Sequence, residues 1–241
     1  MTVTLTINGT RLELECQPHD SLRTVLRKAG YHSVRFGSET GETGAAAVLV
    51  DGRLISGDLM LAAQADGHEI ETIEGLSSPG NLHPIQKAFI ETGAIQSGYS
   101  TPAMILAAKA LIAQNPDPTE DDIRDALSGI LDRETGYLRP VHAVLRAAAV
   151  MRGETPEDID VVHLDSLIAD GDRDTTRGDL PAIAPRVVPT SDVPETRVVG
   201  RAETQVDAIK LVKGNPAFTD DVDLSGTLIA KVLYSPHANA R

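Results

Sequence analysis

The chain has 241 residues, of which 41% are hydrophobic, and a formal net charge of −13. This length is enough for one or two domains with packed cores, and the acidic balance argues against nucleic acid or an anionic membrane as a partner. No apolar run reaches the roughly 18 residues needed to cross a bilayer, and the N-terminus lacks the pattern of a signal peptide, so we expect a cytoplasmic protein.

Residues 1–76 predict a small α+β domain of the β-grasp type. Thr2–Ile7 and Arg11–Cys16 alternate with a period of two residues and are joined at Asn8-Gly9, which is a strong hairpin signal. The stretch "DSLRTVLRKAG" predicts a helix, and a glycine-rich loop follows it. The remaining elements are predicted as strands at Ala46–Val50, at Arg53–Ile55 and in "HEIETIEG", and as a helix at Leu59–Ala65.

The single cysteine, Cys16, excludes an intrachain disulfide and an all-cysteine metal site. It follows the alternating stretch "RLELE", so we expect it on the inner face of a strand as a small buried hydrophobe. The seven histidines are scattered without metal-ligand spacing. No Ser/His/Asp grouping or phosphate-binding loop can be identified, so no catalytic residue is assigned to this chain.

Residues 77–152 predict a compact four-helix domain. The helices are expected at Pro84–Thr92, at Pro102–Ala113, in "PTEDDIRDAL" and at Tyr137–Met151. Thr119 and Asp122 have the spacing of a capping box, and the second helix is apolar on nearly every side, which is typical of a buried helix.

The composition changes after residue 152. Residues 153–195 are acidic and rich in proline, and we interpret them as a linker. Apolar residues return at 196–241, where Thr227–Tyr234 predicts a strand. Because one strand is not stable alone, we interpret 196–241 as an incomplete α/β segment that another polypeptide completes.

The stretch "GSETGETGAAAVLVDGRLISGDLML" resembles the N-terminal iron–sulfur domain of the xanthine dehydrogenase/aldehyde oxidase family, the molybdenum hydroxylases. Plant-type domains of this kind hold a [2Fe-2S] cluster with the spacing C-x4-C-x2-C and a distant fourth cysteine. The resemblance places these positions at Ser38, Thr43, Ala46 and Asp58. A hard cation held by Glu39, Glu42 and Asp58 is the alternative, but calcium takes six or more oxygen ligands, and the loop does not supply them.

The stretch "QSGYSTPAMILAAKALIAQNPDPTEDDIRDALSGILDRETGYLRP" resembles the second iron–sulfur domain of the same family. Its ligands come as C-x2-C followed by C-x-C, which the resemblance places at Ser97, Ser100, Asp132 and Glu134. None of the eight positions carries a thiolate, and their replacements are hard or non-coordinating. We therefore expect natural degeneration of both sites and no 2Fe-2S cluster. A Ser97 or Ser100 hydroxyl is expected to cap the helix that begins near Pro102.

The tail at 196–241 is similar to the opening of the family's molybdenum-binding large subunit, in its hammerhead-like domain. The resemblance implies that this region is fused to the small-subunit domains and that a partner large chain carries molybdopterin and molybdenum, in a heteromeric complex whose dimerisation is left open. It also implies that Gln96 and Glu134 contact the molybdopterin, where an amide side chain can both donate and accept.

Three functions follow as hypotheses. The first is a clusterless, non-electron-transferring subunit that docks on and covers the partner's molybdopterin, while the partner runs a redox-neutral hydration or hydroxyl transfer. The second is a stand-alone binding or scaffold module. The third is a conventional oxidoreductase subunit with another electron exit. The tail favours the first over the second, because a stand-alone module has no use for the start of a large subunit.

Overall fold

The structure, a computed structural model, describes residues 1–38, 40–78, 80–156, 204–222, 224–228 and 230–238. Only the first four residues of the predicted linker at 153–195 are among them. The rest of that prediction lies outside the described residues.

A five-stranded sheet forms the first part of the fold. Its strands are β1 (Thr2–Ile7), β2 (Thr10–Glu15), β3 (Ala47–Val50), β4 (Arg53–Ser56) and β5 (Glu69–Glu71). The order across the sheet is β2-β1-β5-β3-β4, with β5 parallel to β1 and the other pairs antiparallel. Asn8 and Gly9 both have positive φ, which matches the turn that a two-residue β-hairpin prefers.

Helix α1 (Leu22–Lys28) packs on this sheet through Leu22, Val25 and Leu26, which lie in one core with the inward side chains of β1. Ser21 caps the helix, since its Oγ accepts a hydrogen bond from the Thr24 backbone N–H at 3.3 Å. Cys16 is buried in the same core. Its predicted burial is therefore confirmed.

The helix predicted at Leu59–Ala65 differs from the observed element. Only Ala62–Ala65 is helical, as one 3₁₀ turn. Leu61 is extended, with φ −72° and ψ 144°, and forms an antiparallel β-bridge with Ser21. A helix running from Leu59 is therefore interrupted at Leu61, and the residues after it form a short 3₁₀ connector.

Four helices form the second part of the fold: α2 (Pro84–Glu91), α3 (Thr101–Gln114), α4 (Glu120–Leu127) and α5 (Leu138–Met151). Helix α3 is central and nearly all of its side chains are buried, as its apolar composition predicts. The predicted capping box of α4 is present, with Thr119 Oγ1 accepting from the Asp122 N–H and Asp122 Oδ2 accepting from the Thr119 N–H.

The glycine-rich loop joins the two parts. The Leu131 backbone N–H donates to the Thr43 carbonyl at 2.9 Å. Gly44 lies so close to the Gly129 carbonyl that a Cβ at position 44 would overlap it. On the sheet side, Lys109 of α3 forms an ion pair with Glu71 of β5. The loop therefore places the two predicted ligand regions next to each other.

The C-terminal segment packs on the helical part through α6 (Ala208–Val212), whose residues Ala208, Leu211 and Val212 are buried, and it reaches α1 through the ion pairs of Asp220 and Asp221 with Arg27. The strand predicted at Thr227–Tyr234 is wrong for the described residues, since none of them there is in a strand. Leu228 is 93% exposed and Leu233 is 97% exposed. A β-strand needs a neighbouring strand for its hydrogen bonds, and the described part of the chain offers none at this place.

The coarse prediction of a mixed α/β fold is confirmed. In the part of the chain that is described, no helix has the length and apolar composition needed to cross a membrane.

Candidate functional site

The four positions predicted in the first domain lie around the glycine-rich loop and are occupied by contacts within the chain. The Ser38 hydroxyl donates to Glu42 at 3.0 Å. The Thr43 side chain packs directly against Gly37. Ala46 is fully buried just before β3, and its carbonyl accepts from the Gly57 N–H at 2.9 Å. This last bond places Asp58 beside the loop.

Asp58 forms an ion pair with an arginine side chain of the neighbouring helix. Its carboxylate forms an ion pair with Arg23 of α1, and the aspartate side chain is almost completely buried. The Arg23 guanidinium also lies 4.7 Å from the centre of the Phe36 ring, within the range of a cation–π contact. This ion pair thus ties α1 to the turn that follows β4. Within the described residues, no group of acidic, histidine or cysteine side chains has the arrangement of a metal site.

The second set of predicted positions converges on one carboxylate, Glu134, which is only 2% exposed. Its Oε2 accepts from the backbone N–H groups of Gln96 at 2.9 Å and Ser97 at 3.0 Å. Its Oε1 accepts from the hydroxyls of Ser97 at 3.2 Å and Ser100 at 2.8 Å. Three of the four positions, Ser97, Ser100 and Glu134, therefore meet in a single hydrogen-bonded cluster.

The fourth position shapes the turn that carries the carboxylate. Asp132 Oδ1 accepts from the Glu134 backbone N–H at 3.0 Å, and a 3₁₀ turn follows at Glu134–Gly136. The result is a Glu134 side chain held at the N-terminal end of α3, where the helix dipole favours negative charge. Serine, aspartate and glutamate here form one continuous network.

The predicted capping by a serine is wrong. Ser100 occupies the N-cap position of α3 without a side-chain capping bond, and its φ of −88° and ψ of −11° are helical rather than the extended values of a capping serine. Its hydroxyl donates to Glu134 instead. The Ser97 hydroxyl donates to Glu134 and accepts from the Tyr99 N–H at 3.2 Å, outside the helix.

Gln96 and Glu134, the two predicted molybdopterin contacts, are adjacent but differently placed. Gln96 is exposed, with its backbone N–H bound to Glu134 and its carbonyl accepting from the Gln205 side chain at 3.1 Å. The Glu134 carboxylate is directed into the chain and accepts four hydrogen bonds there. Of the two side chains, the one available to another molecule is that of Gln96.

A buried ion pair that the sequence did not indicate lies close to this region. Asp221 pairs with Arg35, and both side chains are almost completely buried. Asp221 also accepts from Arg27 at 3.2 Å and from the backbone N–H groups of Ala217 at 3.0 Å and Phe218 at 3.1 Å. Burial by itself would raise the pKa of Asp221, but these hydrogen bonds and the Arg35 charge lower it from 3.8 to about 2.

Aromatic rings complete the surroundings of this pair. The Arg35 guanidinium lies 4.6 Å from the centre of the Phe218 ring and 5.8 Å from that of Tyr99. The partners are 186 residues apart in the chain, so no spacing rule reveals them. The only signal in the sequence is an Asp-Asp pair after an aromatic residue in "AFTDD".

Comparisons with known proteins relate this chain to iron–sulfur proteins. The family model described as a [2Fe-2S] binding domain matches residues 72–145. The chain is 43% identical over 149 residues to the nicotinate dehydrogenase small FeS subunit of Eubacterium barkeri, covering 61% of this chain and 94% of that protein. It is 42% identical over 147 residues to the xanthine dehydrogenase iron-sulfur-binding subunit of Escherichia coli O157:H7, covering 60% of this chain and 92% of that protein.

A solved structure extends the match toward the C-terminus. The aldehyde oxidoreductase of Desulfovibrio desulfuricans ATCC 27774 superimposes with a TM-score of 0.71 at 31% identity. The match covers 91% of this chain but only 22% of that protein. The chain thus spans nearly all of the small subunits above and about a fifth of this longer oxidoreductase.

These findings correct the expectation that no 2Fe-2S cluster is bound. The matched family is that of a [2Fe-2S] binding domain and the relatives are named as iron–sulfur subunits, which points to a bound cluster. The side chains at the assigned positions are oxygen donors and an alanine, and those around Glu134 are hydrogen-bonded to one another. This donor set does not fit the group as thiolates or imidazoles do.

Proposed function

Because the chain belongs to the family of iron–sulfur small subunits found in xanthine and nicotinate dehydrogenases, we propose that it serves as the small-subunit part of a molybdenum-hydroxylase complex. In that role it docks against a large molybdenum-binding part and covers the edge of its molybdopterin. The hypothesis of redox-neutral chemistry depended on the absence of a cluster and loses its basis with that correction.

The observation that carries the docking proposal is the exposed apolar segment at 224–234. Its large exposed side chains are Leu224, Leu228, Val232, Leu233 and Tyr234. Exposed apolar groups in this number mark contact surfaces on soluble proteins. The match of the tail region to part of a longer oxidoreductase supports the same partner, a molybdenum-binding part that covers this segment.

Gln96 is the side chain that we place against the molybdopterin. It is exposed, and its backbone is fixed on one side by Glu134 and on the other by Gln205. A fixed backbone limits the positions of the amide, which can donate to and accept from a pterin edge. Glu134 contributes by holding this backbone, since both of its carboxylate oxygens already accept hydrogen bonds within the chain.

The docking proposal is tested by changing exposed residues that contribute little to the chain's own core. We expect the double substitution Leu228→Ser and Leu233→Ser to leave thermal unfolding of the chain unchanged and to lower the molybdenum recovered per chain at least five-fold when the complex is isolated from its own cells. Val206→Ser is the matched control, because Val206 is 98% exposed but lies outside the segment. Full molybdenum recovery in the double variant would contradict the proposal.

The role of Gln96 is tested separately. We expect Gln96→Ala to leave assembly intact and to speed the loss of molybdopterin from the isolated complex, measured by the fluorescence of the oxidised pterin. Gln114→Ala is the control, since Gln114 is an exposed glutamine at the far end of α3. Equal rates of loss in both variants would remove Gln96 from the cofactor site.

A further inference from the structure

Residues 205–222 lie across both parts of the fold like a bound peptide. The segment contains α6 and ends in a 3₁₀ turn at Thr219–Asp221. It contacts residues from α1, the loop at 33–36, α2 and the loop at 96–99. These contacts connect it to elements of both the sheet and the helical domain.

The helical half of the segment is seated by shape and by one hydrogen bond. Leu211 packs directly on Gly98, where a Cβ would lie 2.6 Å from the leucine methyl groups. The buried Gln86 side chain donates to the Val212 carbonyl at 2.7 Å. Gln86 is therefore a polar group of the helical domain whose amide is satisfied by this segment.

The C-terminal half of the segment, which contains Asp220 and Asp221, is held by ion pairs. Arg35 and Arg27 both pair with Asp221, and Arg27 also pairs with Asp220. Arg35 is buried, and a buried charge without a partner is costly. The Asp221 carboxylate is thus the counter-ion that this part of the surface requires.

We propose that residues 205–222 form a docking peptide whose binding site, built by Arg27, Arg35, Gln86 and Gly98, recognises it without the covalent connection. The partner that fits this site is a peptide with a short apolar helix followed by an aromatic residue and a Thr-Asp-Asp turn. The occupant of this site is this chain's own segment, and the inference does not depend on the proposed function.

The experiment uses the full chain, nicked after folding at a protease site inserted after Arg177. We expect the two fragments to co-elute at micromolar concentration. A fluorescent synthetic peptide of residues 204–224 is then added in excess to the nicked protein, where it competes with the cleaved segment for the same site, and its incorporation is followed by anisotropy. A peptide with Asp221→Asn is expected to bind at least ten-fold more weakly.

The matched control is the peptide with Asp220→Asn. It removes the same charge one residue earlier, at a side chain that is 67% exposed, and is expected to bind within about three-fold of the native peptide. Because every change is in the peptide, the folding of the nicked protein is unaffected. Separation of the fragments, or equal weakening by both substitutions, would overturn the proposal. Neither outcome depends on molybdenum recovery, which tests the proposed function.

Discussion

Glu134 illustrates how one residue can organise a site. Its carboxylate gathers two backbone N–H groups and two serine hydroxyls at the start of α3. The backbone donors belong to the loop before the helix, which has no regular secondary structure to satisfy them. Buried polar groups cost free energy unless they are hydrogen-bonded, so this carboxylate supports the conformation of the whole turn from Gln96 to Ser100.

We expect Glu134→Gln to lower the free energy of unfolding by about 1–3 kcal/mol, the usual cost of losing charged hydrogen bonds in a buried site. An amide keeps the shape of the carboxylate but presents an NH2 group to donors. Urea unfolding checks this, with Glu120→Gln as the control, since Glu120 is exposed and forms only a 3.6 Å ion pair within α4. A Glu134→Gln protein as stable as the control would contradict the role given to the network.

Asp221 makes stability depend on pH in the acid range. Its pKa is about 2 in the folded chain against 3.8 as its ordinary value, so the folded state binds this proton more weakly than the unfolded state. The resulting stabilisation, about 2 kcal/mol, is present above pH 4 and is lost as the pH falls toward 2. We expect the difference in unfolding free energy between the native chain and Asp221→Asn to be constant from pH 7 to 5 and to shrink below pH 4. A difference that stays constant down to pH 2.5 would show that Asp221 is not the responsible group.

At the scale of elements, the glycine-rich loop is a joint between the sheet and the helices. Gly44 has a φ of +66° and lies directly against the backbone at Gly129 and Ile130. Both features require the absence of a side chain, the first because L-residues rarely adopt positive φ and the second for space. The helix α4 and the loop after it can therefore approach β3 closely only with glycine at this position.

We expect Gly44→Ala to lower the free energy of unfolding by about 2 kcal/mol or more, because backbone strain and overlap add together. Gly136→Ala is the matched control, since it has open space around the added Cβ and no positive φ. Thermal unfolding of both variants is the measurement. Equal melting temperatures would mean that the joint tolerates a side chain.

At the scale of the whole molecule, the segment at 205–222 links the sheet and the helical domain, and the segment at 224–234 is left exposed. The first satisfies Arg35 and Gln86 within the chain. The second carries apolar side chains that are mostly exposed among the described residues. The segment at 205–222 therefore contacts the chain itself, whereas we propose that the segment at 224–234 contacts the large molybdenum-binding part.

The sequence by itself determined the local elements and the family. Period-two alternation and the Asn8-Gly9 turn predicted the hairpin, and apolar periodicity with proline and glycine boundaries predicted α1 to α5 within one or two residues. These features depend on neighbours in the chain, and such neighbours are visible in the sequence. Long matching stretches likewise revealed the relationship to iron–sulfur subunits.

Only the tertiary structure decided which groups meet. Glu134 collects donors from a loop 34 to 38 residues away, and Arg35 meets Asp221 across 186 residues. The residues at 227–234 have strand propensity, but those that the structure describes form no strand, because a strand depends on a partner that propensity does not supply. These hydrogen bonds and ion pairs form because packing brings distant segments together. The local sequence pattern around each residue therefore does not reveal them.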